Sequence, residues 1–119
     1  MAGDRASIGR TGEDAACGYL EGLGFEVVTR NFRTRSGEID VIARRGALTV
    51  FVEVKARRST AFGEPEESVT PAKARRIRAL AADYLSRQSG ATDVRFDVVS
   101  VLIGGDGSVR ELRHIPDAF

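Results

Sequence analysis

The chain has 119 residues, 42% apolar and 29% charged, with a formal net charge of +1, which suits a single domain, residues 1–119, around one buried core. Cys17 and His114 are the only cysteine and histidine, so neither a disulfide framework nor a structural zinc site can be built. No apolar run approaches the roughly 20 residues of a membrane helix, and Met1-Ala2-Gly3-Asp4-Arg5 has no apolar stretch behind its charges, so a cytoplasmic location with no membrane partner is expected.

The first predicted element is a helix from about Ile8 or Thr11 to Leu23, with Thr11 as its cap and Asp14 in the capping-box position. Ala15, Ala16, Tyr19, Leu20 and Leu23 form its apolar stripe, Cys17 reads as a small core residue among them, and Gly24 ends it. Strands are expected over about Phe25–Phe32, Glu38–Arg44 and Leu48–Arg57, the last two joined by a tight turn at Arg45-Gly46 or Gly46-Ala47. The polar stretch from Arg58 to Thr70 reads as an exposed flap. Thr70-Pro71 then caps and starts a second helix reaching about Ser89, with Ile77, Leu80, Ala81, Tyr84 and Leu85 on its apolar face. A fourth strand, Arg95–Ile103, and a weaker edge strand from Ser108 to about Ile115 follow the turn pattern Gly104-Gly105-Asp106-Gly107. The order αβββαββ predicts an α/β fold, a central mixed sheet flanked by helices.

Three charges interrupt this otherwise apolar middle: Asp40, Glu53 and Lys55. A buried charge is costly unless paired or bound to a metal. Strand side chains alternate with period two, which puts Glu53 and Lys55 on one face and Glu38, Asp40 and Ile42 on one face, opposite Ile39, Val41 and Ala43. With Arg45-Gly46 as the loop, Glu38 opposes Glu53; with Gly46-Ala47, Asp40 does. Either register gathers Asp40, Glu53 and Lys55 on the same face, whereas a one-residue slip scatters them. Two carboxylates so placed suit Mg²⁺ or Mn²⁺, which would polarise a phosphodiester and acidify a water, with Lys55 orienting that water. The bland reading is a cross-strand salt bridge.

Residues 30–78 carry twelve basic and six acidic side chains. Arg33, Arg35, Arg57, Arg58, Lys73, Arg75 and Arg76 are the expected contacts to a nucleic-acid backbone, with solvation of an arginine-rich surface as the alternative. Lys73, Arg75, Arg76 and Arg78 load the start of the second helix with charge that opposes its dipole.

Gly37-Glu38-Ile39-Asp40 followed by Phe51-Val52-Glu53-Val54-Lys55 resembles the PD-(D/E)XK nuclease signature, although Ile39 stands where that signature has proline. Together with Gly12-Glu13-Asp14-Ala15-Ala16, Asn31-Phe32-Arg33, Phe62-Gly63, Lys73 and Arg95-Phe96-Asp97-Val98-Val99, they make nearly the whole chain similar to the YraN-like family of small bacterial endonuclease-like proteins. That resemblance implies a restriction-endonuclease-like fold, close to the archaeal Holliday junction resolvases. It also implies metal binding by Asp40 and Glu53, assistance by Lys55, and a metal-site role for Glu13. Without it, Glu13 reads as a first-turn acid satisfying the helix dipole.

The expected function is metal-dependent endonucleolytic hydrolysis of DNA, branched or damaged DNA included. The alternatives are a nucleic-acid-binding module without turnover and an adaptor acting through a protein partner. A homodimer would let a junction cutter act on opposed strands, with the edge around Val109 and Ile115 as the candidate contact. Glu38 is expected to hold Arg33 or Arg57 if it is not part of the site, and Asp97 either to stand behind the ligands of the site or to pair with Arg95 or a helix end.

Overall fold

Gly46 settles which turn joins the central strands. It adopts φ 60°, a left-handed value that glycine takes without steric cost, and Arg45 pairs with Leu48 across it. Gly46-Ala47 is therefore the two-residue loop. The structure, a computed structural model, describes residues 2–58, 69–90 and 93–119, with side chains from Ser7 onward. The expected flap lies almost entirely outside the described residues.

The elements are α1 (Ala2–Gly22), β1 (Glu26–Thr34), β2 (Gly37–Arg45), β3 (Leu48–Arg57), α2 (Pro71–Ser86), β4 (Asp93–Ile103) and β5 (Val109–Ile115). The strands form one sheet in the order β1-β2-β3-β4-β5. Only the β3/β4 pair is parallel; the others are antiparallel. This is the mixed α/β sheet expected from the sequence. Its parallel step needs a crossover, and α2 lies in that connection.

α1 begins well before the expected position. Thr11 is an interior residue rather than a cap, and Glu13 lies in mid-helix rather than in the first turn. Part of this is the stripe continuing: Ile8 packs against the same core as Ala15, Ala16 and Tyr19, adding a turn before Thr11. The end is as expected, two residues on. Gly24, at φ 91°, donates to the Glu21 carbonyl at 3.0 Å, and Phe25 donates to the Leu20 carbonyl at 3.0 Å, the paired bonds of a Schellman motif.

The sheet buries both faces. Ala16, Cys17 and Leu20 of α1 pack with Val41, Ala43, Val50, Val52, Val99 and Val101 on one. Ile77, Leu80 and Ala81 of α2 pack with Ile39, Ile42, Phe51 and Phe96 on the other. β3 therefore reads as a continuous apolar run, as a strand covered on both sides does. Cys17 is a buried free thiol whose pKa burial pushes up.

The expected alternation fails at one place in β2. Ile39 joins the α2 cluster while Val41 and Ala43 join the α1 cluster, so the residues flanking Asp40 face opposite sides. The ladder to β3 ends at Val41–Val52, and the Asp40 Oδ2 atom accepts the Val54 N–H at 2.8 Å. A side-chain carboxylate thus takes the donor that a regular ladder would have given to a backbone carbonyl.

Asp97 is fully buried and structural. It accepts two bonds from Arg95 at 2.9 Å, one from the Asp117 N–H at 3.0 Å, and contacts His114 Nε2 at 2.8 Å. His114 reaches Tyr19 of α1 through Nδ1 at 3.3 Å, which ties β4, β5 and α1 together.

Candidate functional site

The split between β2 and β3 makes Asp40 a shared wall of two pockets. One, a cleft of about 320 Å³, is lined by Ile8, Gly9, Glu13, Asp40 and the end of β3 from Val54 to Arg57, Lys55 included. The other is lined by Glu38, Asp40, Glu53, Lys73, Arg76 and Ile77. The structure brings Asp40, Glu53, Lys55 and Glu13 into one neighbourhood, but not onto one flat face. Glu53 lines the pocket beneath α2 and Lys55 lines the cleft beside α1.

Each side chain is held by something the local sequence explains. The ladder from the Gly46-Ala47 turn runs as far as Val41–Val52, which leaves Asp40 and Glu53 as the next residues on the two strands. Glu53 is 7% exposed, because β3 is covered on both faces. Its Oε1 accepts Lys73 Nζ at 2.6 Å. Lys73 is fixed in turn by the cap of α2: Thr70 Oγ1 accepts the Lys73 N–H at 3.1 Å, and Pro71 opens the helix.

Glu13 depends on β1. Asn31 adopts φ 55°, a value uncommon outside glycine but tolerated by asparagine, and falls between the pairs Arg30–Val41 and Phe32–Ile39, opposite Asp40. From there Asn31 Nδ2 donates to Glu13 Oε1 at 3.1 Å. Arg30 Nη2 reaches the same oxygen at 3.4 Å and Asp14 Oδ1 at 2.8 Å. Sequence reasoning gave neither Asn31 nor Arg30 a part in the site. The signal was a short polar residue between strand-forming neighbours, where a kink is cheap.

The electrostatics centre on Asp40. Burial and then the Glu53 charge push its pKa up to about 7, with Glu13 and Glu38 adding to the rise and the Val54 N–H opposing it. The acidic neighbourhood is therefore short of positive charge, a deficit that a proton or a cation can meet. Carboxylate oxygens are hard donors of the kind Mg²⁺ and Mn²⁺ take, so the donor set fits such an ion in chemistry. Among the described residues no three acidic, histidine or cysteine side chains are grouped closely enough to ligate one ion. Mg²⁺ characteristically keeps several waters and takes one or two carboxylates with substrate phosphate, which two protein carboxylates satisfy.

The basic residues separate into groups. Arg76 and Lys73 line the pocket with Asp40 and Glu53, and Arg57 lines the cleft with Glu13. Arg75 is exposed on α2 and Arg35 in the β1–β2 turn. Arg33 pairs with Glu38 at 3.1 Å, one of the two partners expected for that acid. Arg58 turns away to the Gly104 carbonyl at 3.3 Å. Arg78 also serves the fold: its guanidinium lies 4.5 Å from the Phe96 ring centroid and donates to the Phe119 carbonyl at 2.6 Å.

Residues 12–101 match the family described as uncharacterised protein family UPF0102, a span that includes Glu13, Asp40, Glu53, Lys55 and Lys73. The chain is 50% identical over 115 residues to a UPF0102 protein of Rhodococcus jostii strain RHA1, covering 95% of this chain and 96% of the relative. It is 46% identical over 117 residues to one of Geotalea daltonii, covering 98% and 91%. A UPF0102 protein of Desulforamulus reducens matches at 40% over the full length of both. No helix among the described residues is long and apolar enough to cross a membrane. The chain belongs to the UPF0102 family.

Proposed function

We propose that this protein is a metal-dependent endonuclease that hydrolyses phosphodiester bonds in DNA, with Mg²⁺ or Mn²⁺ held by Asp40 and Glu53. The observation that carries this reading is the Asp40 carboxyl, half-buried beside Glu53 with its pKa raised to about 7. An acid held at such cost is a candidate for function rather than for stability.

A bound divalent cation supplies positive charge to the phosphate and lowers the pKa of water. The chain's own residues supply the rest. The Val54 N–H fixes one Asp40 oxygen, which orients the carboxylate before any ligand arrives. Lys55 lines the cleft with Asp40 and Glu13. There its ammonium orients the attacking water and donates to the phosphate as the new P–O bond forms and the P–O bond to the leaving sugar oxygen breaks. Glu13, steadied by Asn31 and Arg30, lines the cleft on the other side of Asp40. Lys73, Arg76 and Arg57 face the two pockets and would meet the phosphate backbone, with Arg33, Arg35 and Arg75 extending the basic surface outward. A homodimer, meeting at the edge where Val109 is 41% exposed, would serve a branched substrate by presenting two sites.

The test is a panel of junction, flap, single-stranded and duplex DNA incubated with purified protein and Mg²⁺ or Mn²⁺. Cleavage is expected to vanish in Asp40→Asn and Glu53→Gln while DNA binding persists. Cleavage that survives both substitutions comes from a contaminant and removes the assignment.

The Lys73–Glu53 ion pair supports a second reading, a nucleic-acid-binding protein that retains the nuclease fold without turnover, because the pair neutralises Glu53 internally. Binding of DNA with no cleavage of any substrate under any divalent cation would favour it.

A further inference from the structure

The contact between Lys73 and Glu53 does more than neutralise a charge. Glu53 is nearly buried, and the bond that its Oε1 accepts from Lys73 Nζ is short, at 2.6 Å. Lys73 is a third exposed along its side chain against 9% for Glu53, so the ammonium can leave for solvent more readily than the carboxylate. It also stands in the first turn of α2, where the dipole disfavours a cation and favours an anion. Glu53, not the helix, keeps it there.

We propose that Lys73 is the site's resident cation: its ammonium occupies Glu53 until a divalent ion displaces it, and the released side chain then binds the phosphate arriving with that ion. This rests on the reading of Asp40 and Glu53 as ligands of the ion. An ammonium and a divalent cation cannot share one carboxylate oxygen without strong repulsion, so an ion that takes Glu53 Oε1 must displace the ammonium. The released ammonium has three donors and a flexible stem, which suit a phosphate oxygen. Cation uptake and phosphate capture are thereby coupled through a single side chain, and the cation-free site is protected from standing open and highly negative.

Direct Mn²⁺ binding, followed by the loss of the free-ion paramagnetic resonance signal, tests this without reference to catalysis. Lys73→Gln is expected to bind Mn²⁺ roughly tenfold tighter than the natural chain, since a charge-assisted bond no longer has to be broken. Lys73→Arg, which keeps a cation there, is expected to gain nothing. Arg76→Gln removes an equal charge from the same pocket, so a gain within about twofold identifies the contact rather than the general field as the cause. Equal gains in Lys73→Gln and Arg76→Gln overturn the exchange. Mn²⁺ uptake that Glu53→Gln abolishes but Lys73→Gln fails to improve overturns the exchange alone. Failure of both the natural chain and Lys73→Gln to bind Mn²⁺ overturns the metal reading with it.

The second half has its own readout, the salt dependence of duplex binding with and without Ca²⁺. Lys73→Gln is expected to reduce the slope by about 0.9, one phosphate contact, only when Ca²⁺ is present. An equal reduction in both conditions shows that Lys73 meets phosphate without being displaced and overturns the coupling.

Discussion

Gly12 of α1 and Ala56 of β3 approach so closely that a Cβ placed on Gly12 would stand 2.5 Å from the Ala56 Cβ. This contact sets the distance between helix and sheet one residue before Glu13. Gly12→Ala is expected to force the helix outward and cost about 1–3 kcal/mol, as overpacking does. Gly18 lies in the same helix with nothing within 4 Å of a built Cβ, so Gly18→Ala is expected to stabilise by about 0.5–1 kcal/mol through helix propensity. Urea unfolding of the two variants checks the opposite signs, and equal effects would remove the packing argument.

Asn31→Gly separates backbone from side chain. Glycine accepts φ 55° at least as well as asparagine, so stability is expected to stay within about 0.5 kcal/mol of the natural chain. The bond to Glu13 Oε1 is lost, and cleavage is expected to fall on the order of tenfold, the scale seen when a group that orients a metal-site residue is removed. Chemical unfolding and single-turnover cleavage together decide it. A large loss of stability with unchanged cleavage would make Asn31 a structural residue only.

Asp40 gives the cation-free protein a pH dependence of definite sign. Its folded-state pKa is about 7 against an ordinary value of 3.8. Between these values the folded protein binds a proton that the unfolded chain does not, so this group's contribution is fully present below about pH 4. It is lost as pH rises through about 7. Asp40→Asn can still accept the Val54 N–H and removes the titration. Its stability advantage over the natural chain is expected to grow by up to a few kcal/mol between pH 4 and pH 8 without divalent cations. Urea midpoints at several pH values test this, and an advantage that does not vary with pH refutes it.

Asp97 works in the opposite direction. Burial alone would raise its pKa, but the hydrogen bonds from Arg95, His114 and the Asp117 backbone outweigh it and leave the pKa lowered. Its contribution is therefore present above the unfolded value and is lost as pH falls through the lowered one. Asp97→Ala leaves Arg95 without its buried partner and is expected to cost about 3–5 kcal/mol near neutral pH. Thermal unfolding measures the loss, and a cost below about 1 kcal/mol would show that the network is not what ties β5 to the sheet.

The parts of the fold legible in the sequence are those governed by local rules. Alternating apolar residues and a glycine at the turn were enough to predict β2, β3 and their two candidate registers. Thr70-Pro71 was enough to predict the cap of α2. The start of α1 was not legible, because Gly3, Gly9 and Gly12 argue against a helix that tertiary packing of Ile8 extends. The site was legible as a set of neighbours but not as a shape. Period-two alternation places Asp40, Glu53 and Lys55 on one face, and only the departure of β2 from its ladder puts Asp40 between two pockets. The Lys73–Glu53 contact depends on how a crossover helix docks, which no spacing within one hairpin encodes.

The shared position of Asp40 divides labour in a way that bears on how such a protein can change. The sheet holds the acidic pair, α1 brings Glu13 to one pocket, and α2 brings Lys73 to the other. On the proposed reading, substitutions in α2 would retune the grip on an ion without disturbing the water's surroundings, and substitutions in α1 would do the reverse. Two traits that are entangled where all ligands share one pocket are here open to separate adjustment, by selection or by design.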